Sequence, residues 1–73
     1  MTLKDQAKKL PLTPGVYQFI GGKGEILYIG RATSLRRRVL QYFRPDIDPR
    51  IGEMVSLAKK IRQFKTDSVL EAV

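Results

Sequence analysis

Two short runs rich in β-branched and aromatic residues, Val16-Tyr17-Gln18-Phe19-Ile20 and Ile26-Leu27-Tyr28-Ile29, flank the cluster Gly21-Gly22-Lys23-Gly24. Such runs around glycines predict a β-hairpin. Pairing Gly21 with Gly24, or Ile20 with Glu25, gives one and the same register. That register sets Tyr17 opposite Tyr28. Directly opposed residues share a face, with β-carbons about 4.5–5.5 Å apart. The expectation is therefore two phenols side by side on one face of a sheet. Packing of an aromatic pair for stability would account for them, and so would a site.

Around the hairpin the pattern is helical. Thr2 caps a helix expected over Leu3 to Leu10, with Asp5 in its first turn, Lys8-Lys9 in its last and Pro11 ending it. Leu12-Thr13-Pro14-Gly15 is a turn. After the hairpin, Thr33 or Ser34 caps a helix to about Phe43, whose apolar stripe is Leu35, Val39, Tyr42 and Phe43. Asp48-Pro49 opens another helix, with Ile51, Met54, Val55, Ala58 and Ile61 as its buried face. Ile61 to Thr66 alternates weakly and predicts a third strand. Ser68-Val69-Leu70-Glu71 fits a capping box for a last helix, of which the sequence to Val73 holds roughly one turn. The expected fold is α+β: a small three-stranded, mostly antiparallel sheet flanked by helices. Residues 1–73 would form a single domain, incomplete at its C-terminal helix.

Charge and missing residue types narrow the chemistry. The 73 residues carry 14 Lys+Arg against 7 Asp+Glu, a net charge of +7. A basic excess on so small a body favours a polyanionic partner. There is no cysteine and no histidine, which excludes disulfides, zinc ribbons, thiol nucleophiles and imidazole bases. Catalysis would have to rest on Tyr, Lys, Arg, Ser/Thr or carboxylates. No apolar run suits a signal peptide or membrane span, so a cytoplasmic location is expected.

Helical phase separates the arginines of the second helix. At about 100° per residue, Arg37 lies opposite the apolar stripe and Arg36 on the edge beside Phe43. Arg38 falls on the other edge, beside Tyr42, where it can lean over the sheet. Arg31 follows the second strand directly, close to Tyr28. Such a run is most often a solvated basic face. Two arginines meeting two tyrosines would also suit a phosphodiester, since guanidinium forks match phosphate oxygens and a phenol accepts or relays a proton.

Pro14-Gly15-Val16-Tyr17, Leu27-Tyr28-Ile29-Gly30-Arg31-Ala32, Leu35-Arg36-Arg37-Arg38-Val39 and Tyr42-Phe43-Arg44 resemble the signature of the GIY-YIG nucleases, with ten residues between Tyr17 and Tyr28. The Tyr42-Phe43-Arg44 ending points to the bacterial excinuclease branch of that family and its stand-alone homologues. The resemblance covers residues 12 to 73 and implies the GIY-YIG endonuclease fold. It implies hydrolysis of a DNA phosphodiester, with the 3′-side incision of nucleotide excision repair as the setting and the damage-recognition and helicase subunits as partners. By position, Tyr17 would be the general base and Tyr28 would orient the water or contact the scissile phosphate. Arg38 would stabilise the transition state and Arg31 would hold phosphate. Tyr42 would line the site, and Gly30, like Gly15, would allow close backbone approach or simply serve a turn.

The family also uses one glutamate to hold a single Mg²⁺ or Mn²⁺. Two alignments compete for Glu71. One makes it that metal ligand. The other makes it the capping residue of the last helix, with its carboxylate committed to the N-cap amide and the ligand lying beyond Val73. The capping alignment is favoured, and it implies a chain weak or inactive by itself. The alternative function is a non-catalytic basic DNA-binding module that keeps the fold.

Overall fold

A computed structural model describes residues 2–66. The capping box at Ser68–Glu71 and the candidate ligand Glu71 lie outside the described residues. The elements run α1 (Leu3–Lys8), β1 (Gly15–Gly21), β2 (Ile26–Ala32), α2 (Leu35–Leu40), a 3₁₀ turn (Gln41–Phe43), α3 (Pro49–Leu57) and β3 (Ala58–Lys65). Three antiparallel strands lie in the order β2-β1-β3, so β1 is central. This is the α+β architecture expected.

The first helix starts as its sequence requires. The Asp5 amide donates to the Thr2 hydroxyl at 3.1 Å and the Thr2 amide donates to the Asp5 carboxylate at 3.3 Å. Hydrogen bonding to Thr2 holds the Asp5 carboxyl below its ordinary pKa. The helix is shorter than expected, ending at Lys8. Its Gln6 side chain then serves β3: Nε2 donates to the Lys59 carbonyl at 3.2 Å, and Oε1 accepts from the Ile61 amide at 3.0 Å.

The hairpin register differs from the one expected. Gly24 takes a positive φ of 82° and its amide donates to the Gly21 carbonyl at 3.0 Å. The Gly21 amide in turn donates to the Glu25 carbonyl at 2.8 Å. The hairpin thus closes on Gly21 and Glu25 with a loop one residue longer, which only glycine closes cheaply. A second slip falls between Phe19 and Ile20, where Leu27 is the extra residue on β2. Each one-residue slip turns the following side chains to the other face, so two restore the original face. Tyr28 stays on the face of Tyr17 but sits opposite Phe19, while Tyr17 sits opposite Gly30.

β3 corrects another expectation. Ala58 and Ile61 are buried, but from a strand: α3 ends at Leu57. The pairing slips between Ile20 and Gly21, leaving Lys59 as the extra residue. A bulge changes the same-face spacing from two to three, and that spacing imitates a helix. α3 instead rests Ile51, Met54 and Val55, half-buried, on the edge of the core.

α2 packs as its periodicity predicts, with Leu35 and Val39 wholly buried. Its start is capped differently. Ser34 occupies the N-cap but makes no side-chain capping bond. The Leu35 and Arg36 amides donate instead to the backbone carbonyls of Thr13 and Pro11, each at 3.1 Å, because the turn before β1 lies across the helix N-terminus. Arg36 Nε donates to the Leu10 carbonyl at 2.6 Å, so this arginine ties α2 to the end of α1.

Candidate active site

Sheet and helix together gather three tyrosines. Tyr17 comes from the central strand, Tyr28 from the edge strand, and Tyr42 from the 3₁₀ turn one helical turn beyond Arg38. The Tyr17 and Tyr28 rings stack at 6.4 Å with an interplanar angle of 26°. The Tyr42 ring stands edge-on to both, at 5.9 Å and 6.0 Å, and to Phe19 at 5.1 Å. These are the offset and edge-to-face arrangements that ring quadrupoles favour. Tyr17 and Tyr42 are joined through their hydroxyls, 2.6 Å apart and buried.

The three phenols are not equivalent. Tyr17 is only 1% exposed, whereas Tyr28 is 37% exposed. Burial, and then the Tyr17 hydroxyl, push the pKa of Tyr42 far above its ordinary value. Either hydroxyl can donate in the Tyr17–Tyr42 pair. Arg38 supplies the positive charge. Its guanidinium carbon lies 5.9 Å from the Tyr42 ring centroid, and its Nη1 donates to Gln41 Oε1 at 3.2 Å. Interaction with the Tyr17 oxygen is the first cause holding Arg38 above its ordinary pKa.

A cleft of about 190 Å³ opens on this cluster, lined by Tyr28, Arg38, Gln41, Tyr42, Ile47 and Ile51. Tyr17 is not in its lining. A second, wider groove of about 450 Å³ shares Arg38 and Gln41 with it and adds Arg31 and Arg37. A third depression continues along Arg37, Leu40, Gln41 and Arg44.

Of the residues singled out from sequence, Tyr17, Tyr28, Tyr42 and Arg38 are brought together. Arg31 is not: it pairs with Val16, out of phase with Tyr28, and so starts from the other face of the sheet. It is exposed and contributes to the arginine groove instead. Gly30 has a packing reason, because a β-carbon there would fall on the Tyr17 ring and hydroxyl. Gly15 is similar, since its added β-carbon would lie 2.6 Å from the Phe64 carbonyl oxygen. Gln41, Ile47 and Ile51 were not anticipated. Gln41 had a signal in its i+3 spacing from Arg38. The isoleucines had none, because the chain folds back between Arg44 and Pro49 to bring them there.

Among the described residues no carboxylate lines the cleft, and no group of three or more His, Cys, Asp and Glu could hold a metal ion. The described residues alone do not make a divalent-cation site. The acidic residues beyond Thr66 are Asp67 and Glu71.

The family model for the UvrC-like GIY-YIG domain matches residues 13–73. The UvrABC system protein C of Paramagnetospirillum magneticum is 45% identical over 65 residues, which is 88% of this chain and 10% of that protein. A putative bifunctional exonuclease/endonuclease protein of Mycobacterium tuberculosis is 51% identical over 67 residues, covering 90% of this chain and 10% of the relative. The chain thus spans about a tenth of the length of these relatives. The fold is similar to the N-terminal GIY-YIG endonuclease domain of UvrC from Thermotoga maritima bound to magnesium, its catalytic divalent cation. That similarity has a TM-score of 0.87 and 27% identity over 96% of this chain and 76% of that one. Point mutants of the same Thermotoga domain with single tyrosines changed to phenylalanine are also bound to the cation.

Proposed function

Because this chain belongs to the UvrC-like GIY-YIG domain family, we propose that it is a metal-dependent DNA endonuclease domain making the 3′-side incision in nucleotide excision repair. The observation that carries this reading is the buried, hydrogen-bonded Tyr17–Tyr42 pair, whose Tyr42 lines the cleft together with Arg38. The arginine groove receives the phosphates of one strand, as counterion release favours on a body of charge +7. Arg38 forks onto the scissile phosphate and meets charge that grows on it in the transition state. Tyr28, the exposed phenol, holds the attacking water. Tyr17, reacting as a phenolate whose charge Arg38 balances, takes that proton and becomes the neutral phenol, hydrogen-bonded to Tyr42.

A divalent cation, Mg²⁺ or Mn²⁺, belongs to this reading through the magnesium-bound Thermotoga domain. When bound it supplies charge neutralisation at the phosphate. Its ligand would come from outside the described residues, either Glu71 or a carboxylate beyond Val73. By family membership the partners are the other subunits of the UvrABC system, and the location is the cytoplasm.

The test is nicking of supercoiled plasmid with Mg²⁺ or Mn²⁺, by this chain and by a form extended past Val73. Nicking that Tyr17→Phe abolishes, with DNA binding kept, supports the reading. Salt-sensitive binding without nicking in both forms would leave only a DNA-binding module. Full nicking by the short chain, lost in Glu71→Ala, would make Glu71 the metal ligand.

A further inference from the structure

The cleft beside Tyr28 has two walls of unlike chemistry. One is polar, formed by Arg38, Gln41 and Tyr42; the other is Ile47 and Ile51. Neither isoleucine has a part in moving a proton or holding a phosphate. Both are half-buried. Ile47 packs over α3 at Gly52, where an added β-carbon would stand 3.6 Å from its γ-methyl. Ile51 leans on the core, and Ile47 lies outside the core cluster.

A phosphate alone gains nothing from this wall. A nucleotide does, because it joins an anion to a flat apolar ring with a hydrogen-bonding edge. The cleft offers the matching set: a guanidinium at its rim, a phenol and two isoleucines inside, and the Gln41 amide for the ring's polar edge. The groove of Arg31 and Arg37 opens onto the same Arg38 and Gln41, so a strand laid along the arginines reaches this cleft with its next residue. Aromatic and apolar walls that take single bases beside a basic track are a general means of holding an unstacked strand.

We propose that the cleft bounded by Tyr28, Gln41, Ile47 and Ile51 is a subsite for a nucleobase, the one attached to the phosphate at Arg38, taken out of its stack. This inference rests on the endonuclease reading and specifies how that site holds its substrate. It requires the strand to be locally open where the phosphate enters.

The test uses the 73-residue chain and a fluorescein-labelled single-stranded oligonucleotide, read by anisotropy, with one abasic position moved along the strand. One position is expected at which removing the base weakens binding about fivefold or more, the scale of a single stacked base. Ile47→Ala should weaken binding of the intact oligonucleotide by a similar factor while leaving the abasic one unchanged. Far-UV circular dichroism checks its fold, and Ile51→Ala provides a second variant. Arg38→Ala should weaken both oligonucleotides alike. Equal losses at every abasic position, or an Ile47→Ala loss that the abasic strand shares, would overturn the subsite while leaving the endonuclease reading intact. Absence of any DNA binding would overturn that reading and the subsite with it.

Discussion

The Tyr17 side chain lies across Gly30, its partner on the neighbouring strand, so closely that any β-carbon at Gly30 would fall on the phenol. Gly30→Ala is therefore expected to destabilise the fold by about 1–3 kcal/mol, the cost of overpacking a fitted site. Urea denaturation measures it. In a Tyr17→Ala background the same substitution should be close to neutral, since the space it needs is then free. If Gly30 served only approach of a phosphate, Gly30→Ala would weaken DNA binding and leave stability alone.

The raised pKa of Tyr42 predicts a stability that falls in alkali. Its folded-state value lies above the ordinary 10.0, so the native state holds the phenolic proton more tightly than the unfolded chain. That contribution is complete below pH about 10 and is lost as pH rises above it, where only the unfolded chain releases the proton. Urea midpoints at stepped pH should drop more steeply for the wild type than for Tyr42→Phe. An equal slope in the two proteins would refute the linkage.

Arg38 and Arg37 are neighbours with different surroundings, and their substitutions should separate. Arg38→Ala is expected to abolish nicking and to reduce the slope of binding against log salt by about 1. Arg38→Lys should recover part of the binding and little of the nicking, because an ammonium does not fork onto two phosphate oxygens. Arg37→Ala should lower affinity alone, since Arg37 lines only the grooves outside the tyrosine cleft.

Gln6 bonds the carbonyl of Lys59, the extra residue of the β3 slip, and the Ile61 amide two residues beyond it. Gln6→Ala should cost about 1–3 kcal/mol, the range for leaving a partly buried backbone group unpaired. Gln6→Glu keeps the acceptor for Ile61 and loses the donor for Lys59, so its loss should be intermediate. Hydrogen exchange at Ile61 reports it directly.

Local order along the chain was legible because it rests on neighbours a few residues apart. The Thr2–Asp5 capping box, the buried stripe Leu35–Val39–Tyr42, the proline that opens α3 and the two strands of the hairpin all follow from spacing and residue type. The common face of Tyr17 and Tyr28 was legible too, and it survived a wrong register only because the loop at Gly24 and the bulge at Leu27 shift it by one residue each. Arg38 was singled out by helical phase alone.

What spacing could not decide was set by contacts between distant segments. Ala58 and Ile61 look helical in sequence, and became strand because pairing with β1 and the Gln6 side chain capture them past Leu57. Arg36 became a tie to Leu10, and Arg31 left the tyrosines, because strand pairing and the docking of α1 choose where each side chain starts. The sequence by itself determined which groups the chemistry has available: three phenols, a run of arginines and no thiol or imidazole. Only the tertiary structure decided that Tyr17 is buried and joined to Tyr42 while Tyr28 faces the cleft. Burial and hydrogen-bond partners are properties of the packed surroundings, and for these residues those surroundings are built from parts of the chain far apart in sequence.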